Sequence, residues 1–395
     1  MMYVVIFLIL LLCIYLYDIC GGVVNKMATF YGIVFILILI SAISYRIGGD
    51  MEVYSYWWKF KCKPLSQIDL LDIFDDIKYE RPGWIIITSF LKSIFNDLVI
   101  LKIVHALWIN LVVAYFIRTY TKYCFSVLLM YFVVGYFNYN FEILREGVAI
   151  SFFLLAFPCY VERKWFRYFL FFLCAFMFHE SALLMLLLPF MSILGKVNIF
   201  VMIGCLLGVY VLFMQIDLVG LLLQIVPSNF GFYSKFQGYM NSDLYGENVR
   251  INMYAFFFAS FIVPGFFYMV LKKLDVNNRF AVYILISILF NLLNSKIGIF
   301  YRFNNYILLP LFIAYIDIIS LISKKVSLGR FKNIFFIPAM LLYFLYKIPS
   351  VYFKEENIAN GKFYNRYFPY CTIIDKNISE ERAKFMDQIY RWQND

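Results

Sequence analysis

Charged side chains are scarce in this sequence. Asp, Glu, Lys and Arg make up 15% of the 395 residues, whereas hydrophobic residues make up 63%. An average soluble domain carries about 25% charged residues, so this balance excludes an ordinary soluble globular protein. The composition is that of a protein whose solvent is a lipid bilayer.

Histidine and the familiar cofactor-binding motifs are equally scarce. The chain has 2 histidines, His105 and His179, and no HExxH pair, which argues against a zinc or di-iron membrane enzyme. It has neither a Walker A nor a GxGxxG fingerprint, so ATP-driven transport within this chain is not expected. Its 8 cysteines lie mostly inside apolar runs and show no CxxC spacing. We therefore expect no cofactor and no bound metal.

Long apolar runs fill most of the chain instead. A helix needs about 20 mostly apolar residues to cross a bilayer, since lipid offers no partner for backbone amides. The runs that can serve as spans are 3–17, 28–44, 98–117, 124–137, 143–160, 166–178, 181–194, 199–214, 253–271, 280–293, 303–322 and 334–346. This pattern predicts an all-α fold, a polytopic integral membrane protein with about 12 transmembrane helices. The run 84–95 is short and contains Lys92, so we predict a re-entrant or interfacial helix there.

Basic residues orient the predicted bundle, because short cytoplasmic loops are rich in Lys and Arg. The residues placed inside by this rule are Arg118, Lys122, Arg163, Lys164, Arg167, Lys272, Lys273, Arg279, Lys324, Lys325, Arg330 and Lys332. The loops near 45–82 and 215–250 and the polar tail 351–395 then lie outside, provided that 84–95 does not cross. We treat 1–350 as one transmembrane domain and predict an external amphipathic helix in the tail. The net charge of +10 is distributed as a topology signal, so no nucleic acid partner is expected.

Ionisable residues at the ends of spans are the candidates for chemistry, since charge near a bilayer is costly. The residues that share the outer face on this topology are Arg46, Asp50, Glu142, Arg145, Glu146, His179, Glu180 and Arg302. We expect one outward-facing polar cavity to hold them together.

The first motif is "YRIGGDMEVY". Arg46 ends a span, and Gly48 and Gly49 allow the backbone an unusual turn that presents Asp50. An arginine that binds anions beside a carboxylate suits phosphate recognition next to proton abstraction. An Arg–Asp pair that only ties down the loop is the alternative.

The second motif is "NFEILREGVAI", in which Glu142, Arg145 and Glu146 fall on nearly one helix face at i, i+3 and i+4. Charges at the start of a span need partners. Either a substrate or a self-satisfied Glu–Arg pair meets that need.

The third motif is "FHESALLMLLLPF", which places His179 between two apolar runs. Histidine can act as a base or as a hydrogen-bond donor near neutral pH. A structural histidine at a helical hairpin is the alternative.

The fourth motif, "KIGIFYRFNNY", returns Lys296 and Arg302 to the outer face. Tyr301, Asn304, Asn305 and Tyr306 accompany them, and amides with aromatic rings suit carbohydrate. Convergent cations would neutralise a diphosphate leaving group. An anchor for phospholipid headgroups is the alternative.

In order and spacing, these motifs resemble those of the EpsG family, the Wzy-like group of bacterial exopolysaccharide and O-antigen polymerases. "YRIGGD" resembles the family's Arg-x-Gly-Thr-Asp motif, and "ERPGW" its Glu-Pro-Gly-aromatic element. "LREGVAISFFLL" is similar to its Arg-x-x-x-Ala helix, and "FHESALLMLLLPF" to its His-x-Ser-Ala-Leu signature. The departures are Gly49 in place of Thr, Arg81 inserted before Pro82, and Glu146 after Arg145.

The resemblance implies a glycosyltransferase at the outer face of the bacterial inner membrane that joins undecaprenyl-diphosphate-linked oligosaccharide units. Arg145 and Arg302, assisted by Arg46, would bind the diphosphate, and Asp50, Glu142 or His179 would activate the acceptor hydroxyl. A chain-length regulator is a further partner expected from the resemblance. Two other classes stay open: a membrane glycan O-acyltransferase and a flippase for lipid-linked glycans.

Overall fold

The computed structural model describes residues 2–68, 81–191, 204, 208, 258–273, 280–296, 300–325, 355–357, 363–384 and 387. The predicted span 334–346, the external loop 215–250, all of the predicted span 199–214 except 204 and 208, and Glu80 lie outside this part of the chain. So do Phe385, Ile389 and Trp392 of the predicted tail helix. The chain divides into two compact units, the first formed by 1–73, 82–179 and 319–395, and the second by 74–81 and 180–318.

The helices of the first unit follow the predicted apolar runs, except α3, which lies in the predicted external loop near 45–82. They are α1 (Met2–Cys13), α2 (Lys26–Ala42), α3 (Met51–Phe60), α4 (Pro82–Ile94), α5 (Leu98–Tyr120), α6 (Cys124–Met130), α7 (Leu144–Val161) and α8 (Trp165–Phe176). π-helical segments continue α1 over Ile14–Ile19 and α6 over Tyr131–Gly135 and Asn138–Glu142. A 3-10 turn, Leu65–Gln67, follows α3.

The second unit contains the 3-10 turn Glu180–Leu183, α9 (Leu184–Met191), α10 (Val263–Lys273, preceded by the π-helical Phe258–Ile262) and α11 (Ala281–Lys296). The next helix, α12 (Tyr301–Lys325), begins in the second unit and ends in the first. Strands β1 (Glu355–Asn357) and β2 (Phe363–Asn365) pair antiparallel, with Glu355 opposite Asn365. Apart from this ribbon, the described elements are helical, as predicted.

Four helices of the described part are long and apolar enough to cross a membrane. They are Met2–Ile19, Leu98–Tyr120, Leu144–Val161 and Tyr301–Leu321. Shorter apolar helices lie at Lys26–Ala42, Cys124–Gly135, Trp165–Phe176, Glu180–Phe190, Ser260–Val270 and Val282–Asn294. The protein is therefore a helical membrane protein.

Contacts in the first unit define two ends of the helix bundle. At one end, Asp18 accepts hydrogen bonds from the backbone and hydroxyl of Ser126, both at 2.8 Å, and Lys26 donates to the carbonyl of Lys122 at 2.9 Å. At the other, which we call the Glu142 end, the ring of His105 hydrogen-bonds the carbonyl of Leu144 at 3.1 Å. The Glu142 end therefore holds the start of α5 and the start of α7.

Helix α4 begins and ends at the Glu142 end. The N–H of Gly83 donates to the carbonyl of Met177 at 2.8 Å, just beyond the end of α8. After α4, Asp97 caps α5 by accepting from the N–H of Val99 at 3.0 Å. Both ends of α4 therefore contact elements at the Glu142 end, and the re-entrant or interfacial placement of this segment stays a prediction.

Candidate functional site

The loop 43–50 joins α2 to α3 at the Glu142 end. Two of its residues have left-handed backbone, Arg46 with φ 50° and Gly48 with φ 102°. A Cβ on Gly48 would lie 2.5 Å from the carbonyl oxygen of Phe141, so only glycine fits. The predicted glycine turn is therefore required by both the backbone conformation and the close approach of a neighbouring helix.

The carboxylate of Glu142 binds this loop through the loop's backbone N–H groups. Both of its carboxylate oxygens lie 3.0 Å from the backbone nitrogen of Gly49, and one accepts from the N–H of Asp50 at 3.2 Å. The hydroxyl of Tyr367 donates to the same carboxylate at 2.7 Å, and the guanidinium of Arg366 lies 3.3 Å away. Glu142 is 6% exposed. Its carboxylate therefore acts as an acceptor at the centre of a buried clasp.

A second segment of chain, 366–373, completes the clasp. The backbone carbonyl of Arg366 accepts from the N–H of Gly48 at 3.2 Å, and the backbone carbonyl of Cys371 accepts from the N–H of Tyr45 at 2.9 Å. Ser44 and Thr372 form an antiparallel bridge. Sequence analysis missed this segment, because hydropathy gives no information about which loops of a membrane protein pair.

Glu142 also departs from the predicted helix face. The π-helix that carries it ends at Glu142, the next residue Ile143 has φ −98° and ψ 52°, and α7 begins at Leu144. The prediction of one continuous face for Glu142, Arg145 and Glu146 is therefore wrong. The break lets Glu142 face the loop while Arg145 lies in the first turn of α7.

Arg46 forms an ion pair with Glu52 in the first turn of α3, with Nε 3.6 Å from the carboxylate. Glu52 is 2% exposed, and within the described chain its oxygens accept no hydrogen bond. Burial raises the pKa of Glu52 to about 7, although the charge of Arg46 opposes the shift. A buried carboxyl with a raised pKa is typical of functional sites, and sequence analysis missed it because Glu52 reads as one polar residue of a loop.

Asp50 precedes α3 and has an exposed side chain, which does not cap that helix. Its backbone is nevertheless fixed by Glu142. The arrangement presents a carboxylate to solvent from an anchored position.

Arg145 lies beside an aromatic cluster. Its guanidinium carbon lies 5.9 Å from the centre of the Tyr54 ring. Tyr54 belongs to a buried cluster with Trp84 and Leu144, against which Phe178 packs. This cluster links α3, α4, α5, α7 and the end of α8, so Arg145 lies beside the point where the first three motifs meet "ERPGW".

His179 follows directly after Phe178 and is buried. The backbone N–H of His179 donates to the carbonyl of Ala175 at 3.1 Å, so the chain continues the turn of α8 as far as His179. Its neighbour Glu180 belongs to the second unit and pairs with Arg81 there, at 3.0 Å.

The fourth motif lies in the second unit. Tyr301 and Arg302 begin α12 and are half-buried, and Asn305 is buried. Nearby, Tyr306 and Ser181 share a hydrogen bond of 3.0 Å. Lys296 ends α11, and its side chain lies outside the described part.

A cavity of about 340 Å³ opens beside Arg46 in the first unit. Its charged lining consists of Arg46, Lys59, Lys92, Lys102 and Asp97. Sequence analysis did not select the three lysines. Among the described residues, no cluster of three or more His, Cys, Asp or Glu side chains has the arrangement of a metal site.

Comparison with known proteins gives one match. The model of the EpsG family matches residues 27–372, which include the loop 43–50, Glu142, Arg145, His179 and the segment up to Thr372. No curated protein and no solved structure matches the chain. The family indicates a membrane protein with a polysaccharide polymerase-like function. Because the match covers most of the sequence, the chain belongs to the EpsG family.

Proposed function

We propose that this protein is a Wzy-type glycosyltransferase that polymerises undecaprenyl-diphosphate-linked oligosaccharide units. The bond between the first sugar carbon of the growing glycan and its diphosphate breaks, and undecaprenyl diphosphate leaves with the electron pair. The acceptor hydroxyl of the next lipid-linked unit bonds to that carbon and gives its proton to a base. The observation that carries this proposal is the clasped loop 43–50, which brings Arg46 and Asp50 to the Glu142 end of a membrane bundle.

The reaction takes place on the external side of the bacterial inner membrane in this proposal. The connections near Lys122 and Lys164 carry the basic residues, and the Glu142 end lies opposite. Ser44 pairs with Thr372, so the loop and the tail segment share one side. The proposed topology of about 12 crossings, with α4 not crossing, satisfies this pairing. A lipid-linked unit rather than a nucleotide sugar is therefore the donor.

Cationic side chains stabilise the leaving diphosphate without a metal in this mechanism. Arg145 and Arg302 bind it, and Arg46 assists. Lys296, Tyr301 and Asn305 complete the binding surface of the second unit. The position of Arg145 beside Tyr54 supports its role, because a packed guanidinium is oriented before substrate arrives.

Asp50 is the preferred base for the acceptor hydroxyl. Its side chain is exposed, whereas the Glu142 carboxylate is occupied by two backbone amides, a tyrosine hydroxyl and Arg366. We therefore assign Glu142 a positioning role, and His179 is the alternative base. A chain-length regulator that controls the number of joined units is a further partner in this proposal.

Glycan analysis in the native host tests the proposed function. The gene is deleted and then restored as wild type, Arg145→Ala or Arg167→Ala, an exposed arginine on α8 that serves as the control. We expect polymer to disappear on deletion while single lipid-linked units persist, and only wild type and Arg167→Ala to restore chains. Normal-length polymer that lacks an acyl group would instead identify an acyltransferase, and units trapped on the cytoplasmic leaflet a flippase.

A further inference from the structure

The cavity beside Arg46 contains a buried lysine, Lys102, that forms no ion pair with any described residue. Lys102 lies on α5 and is 7% exposed. Throughout the described chain its ammonium forms no hydrogen bond or ion pair, although Asp97 attracts it. An ammonium buried without a paired anion is costly. Since Lys102 lines the cavity, an anionic ligand there would supply the missing partner.

Lys92 presents a second cation to the same cavity. Its ammonium donates to the carbonyls of Trp58 and, at 2.8 Å, of Cys62, at the end of α3. An ammonium has three protons, so one is left to point at a ligand. The two carbonyls fix the position of Lys92 and leave its charge intact.

Most of the other charged residues of the lining are also positive. Arg46 and the exposed Lys59 add positive charge, and Asp97 is the one carboxylate among the lining residues. Leu98 and Val99 of the lining form the first turn of α5, a 23-residue helix. The start of a helix carries partial positive charge and attracts phosphate groups. Asp97 already accepts from the N–H of Val99 at this helix end, so the four cationic side chains are what favours an anion with more than one negative charge.

We propose that this cavity binds the diphosphate group of a lipid-linked glycan, with Lys102 and Lys92 as direct ligands beside Arg46. The identity of the substrate rests on the proposed function, whereas the site itself rests on the cavity and its charges. Lysine is a common point-charge ligand of phosphate. A volume of about 340 Å³ lies within the range of small-ligand pockets. A phospholipid phosphodiester carries less charge than a diphosphate and matches the lining less well.

Binding of a radiolabelled polyprenyl diphosphate without sugar to the full-length protein in detergent tests this site. The variants are Lys102→Met, Lys102→Arg, Lys59→Met and the control Lys61→Met, an exposed lysine outside the cavity. We expect Lys102→Met to weaken binding about ten-fold or more, the loss of one charged hydrogen bond. Lys102→Arg should retain part of the affinity, and Lys61→Met all of it. Lys59 is exposed, so Lys59→Met keeps the fold and should give a smaller but measurable loss.

Competition identifies the ligand. Displacement by unlabelled polyprenyl diphosphate at far lower concentration than by phosphatidylglycerol or inorganic diphosphate supports the proposal. Equal displacement by phosphatidylglycerol, or unchanged affinity in both Lys102→Met and Lys59→Met, overturns it. If the host makes normal polymer after the gene is deleted, while the purified protein binds polyprenyl diphosphate and Lys102→Met weakens that binding, the proposed function fails and the diphosphate site stands. If deletion abolishes polymer while Lys102→Met binds and polymerises normally, only the site fails.

Discussion

Both carboxylate oxygens of Glu142 lie 3.0 Å from the backbone nitrogen of Gly49. One side chain at the end of a helix thus fixes the loop that carries Arg46 and Asp50. The geometry of the loop depends on this contact as well as on Gly48, because residues with left-handed backbone persist only where the surrounding structure holds them.

We expect Glu142→Gln to destabilise the clasp. The amide keeps one acceptor oxygen and loses the charge that faces Arg366 and Tyr367. Removing a hydrogen bond to a charged group costs about 2 kcal/mol. Thermal unfolding in detergent should show the loss, and limited proteolysis should cleave 366–373 faster. Glu162→Gln, an exposed carboxylate at the opposite end, is the control. A stable, protease-resistant Glu142→Gln protein with altered pH dependence would identify Glu142 as the base.

Gly48→Ala should abolish polymer formation. A Cβ there would meet the Phe141 carbonyl at 2.5 Å, and the φ of 102° is unfavourable for alanine. Gly32→Ala is a matched control, because nothing lies within 4 Å of its Cβ and alanine favours helix by about 1 kcal/mol. Polymer yield and melting temperature of both variants check the expectation. Wild-type yield from Gly48→Ala would show that the turn is dispensable.

We expect the free energy of unfolding to fall as pH rises, because Glu52 loses a proton that stabilises the folded protein. Burial raises its folded pKa from 4.5 to about 7, so the folded protein binds a proton more tightly than the unfolded chain. The stabilising proton is present below about pH 4.5 and is lost as pH rises to about 7. Glu52→Gln should lessen this decline and be at least as stable as wild type at alkaline pH. The melting temperatures of wild type and Glu52→Gln between about pH 4.5 and pH 7 measure this decline. If the two curves of melting temperature against pH run parallel, the raised pKa of Glu52 is contradicted.

Asp50→Asn should lower the polymerisation rate without lowering stability. A general base contributes about a hundred-fold or more to rate, and Asp50 is exposed, where a substitution usually changes stability little. Lipid-linked repeat units and purified protein provide the assay, with the rate followed against pH. Asp375→Asn, an exposed carboxylate of the tail segment, is the control. If Asp50→Asn retains the wild-type pH profile, His179 becomes the preferred base.

Cysteine labelling tests the placement of α4. In a background without native cysteines, Lys61→Cys and Asn96→Cys lie on either side of this helix and are both exposed. We expect an impermeant thiol reagent to label both from outside, and Lys164→Cys only after the membrane is permeabilised. Labelling of Lys61→Cys and Asn96→Cys from opposite sides would show that α4 crosses.

The sequence allowed the helices to be predicted because lipid imposes a length and an apolar composition on each span. The predicted 98–117 and 143–160 correspond closely to α5 and α7. The same physics cannot predict lateral partners, since one apolar helix face fits many others. Neither the clasp from Arg366 and Tyr367 to Glu142 nor the link from Lys92 to α3 was therefore predictable.

The candidate residues were predicted where charge lies at the end of a span, as at Arg46 and Arg145. Lys102 was missed because a single lysine within an apolar run reads as a snorkelling anchor, and only the structure shows that it lines a cavity. Glu52 was missed because it reads as one polar residue of a loop, and only the structure shows that it is buried. The sequence shows that a charged residue lies in or near an apolar span, where it is costly. Only the packing of the helices shows whether that residue lies in a cavity that could bind a ligand.

The pairing of Ser44 with Thr372 also sets an order of assembly. A ribosome makes the loop 43–50 long before the segment 366–373. Until that later segment has been made, the N–H groups of Tyr45 and Gly48 lack their acceptors, and Glu142 lacks Tyr367. The nascent chain can therefore insert the helices of the first unit that precede this segment and still lack the clasp, so the loop 43–50 gains its full set of contacts only after 366–373 has been made.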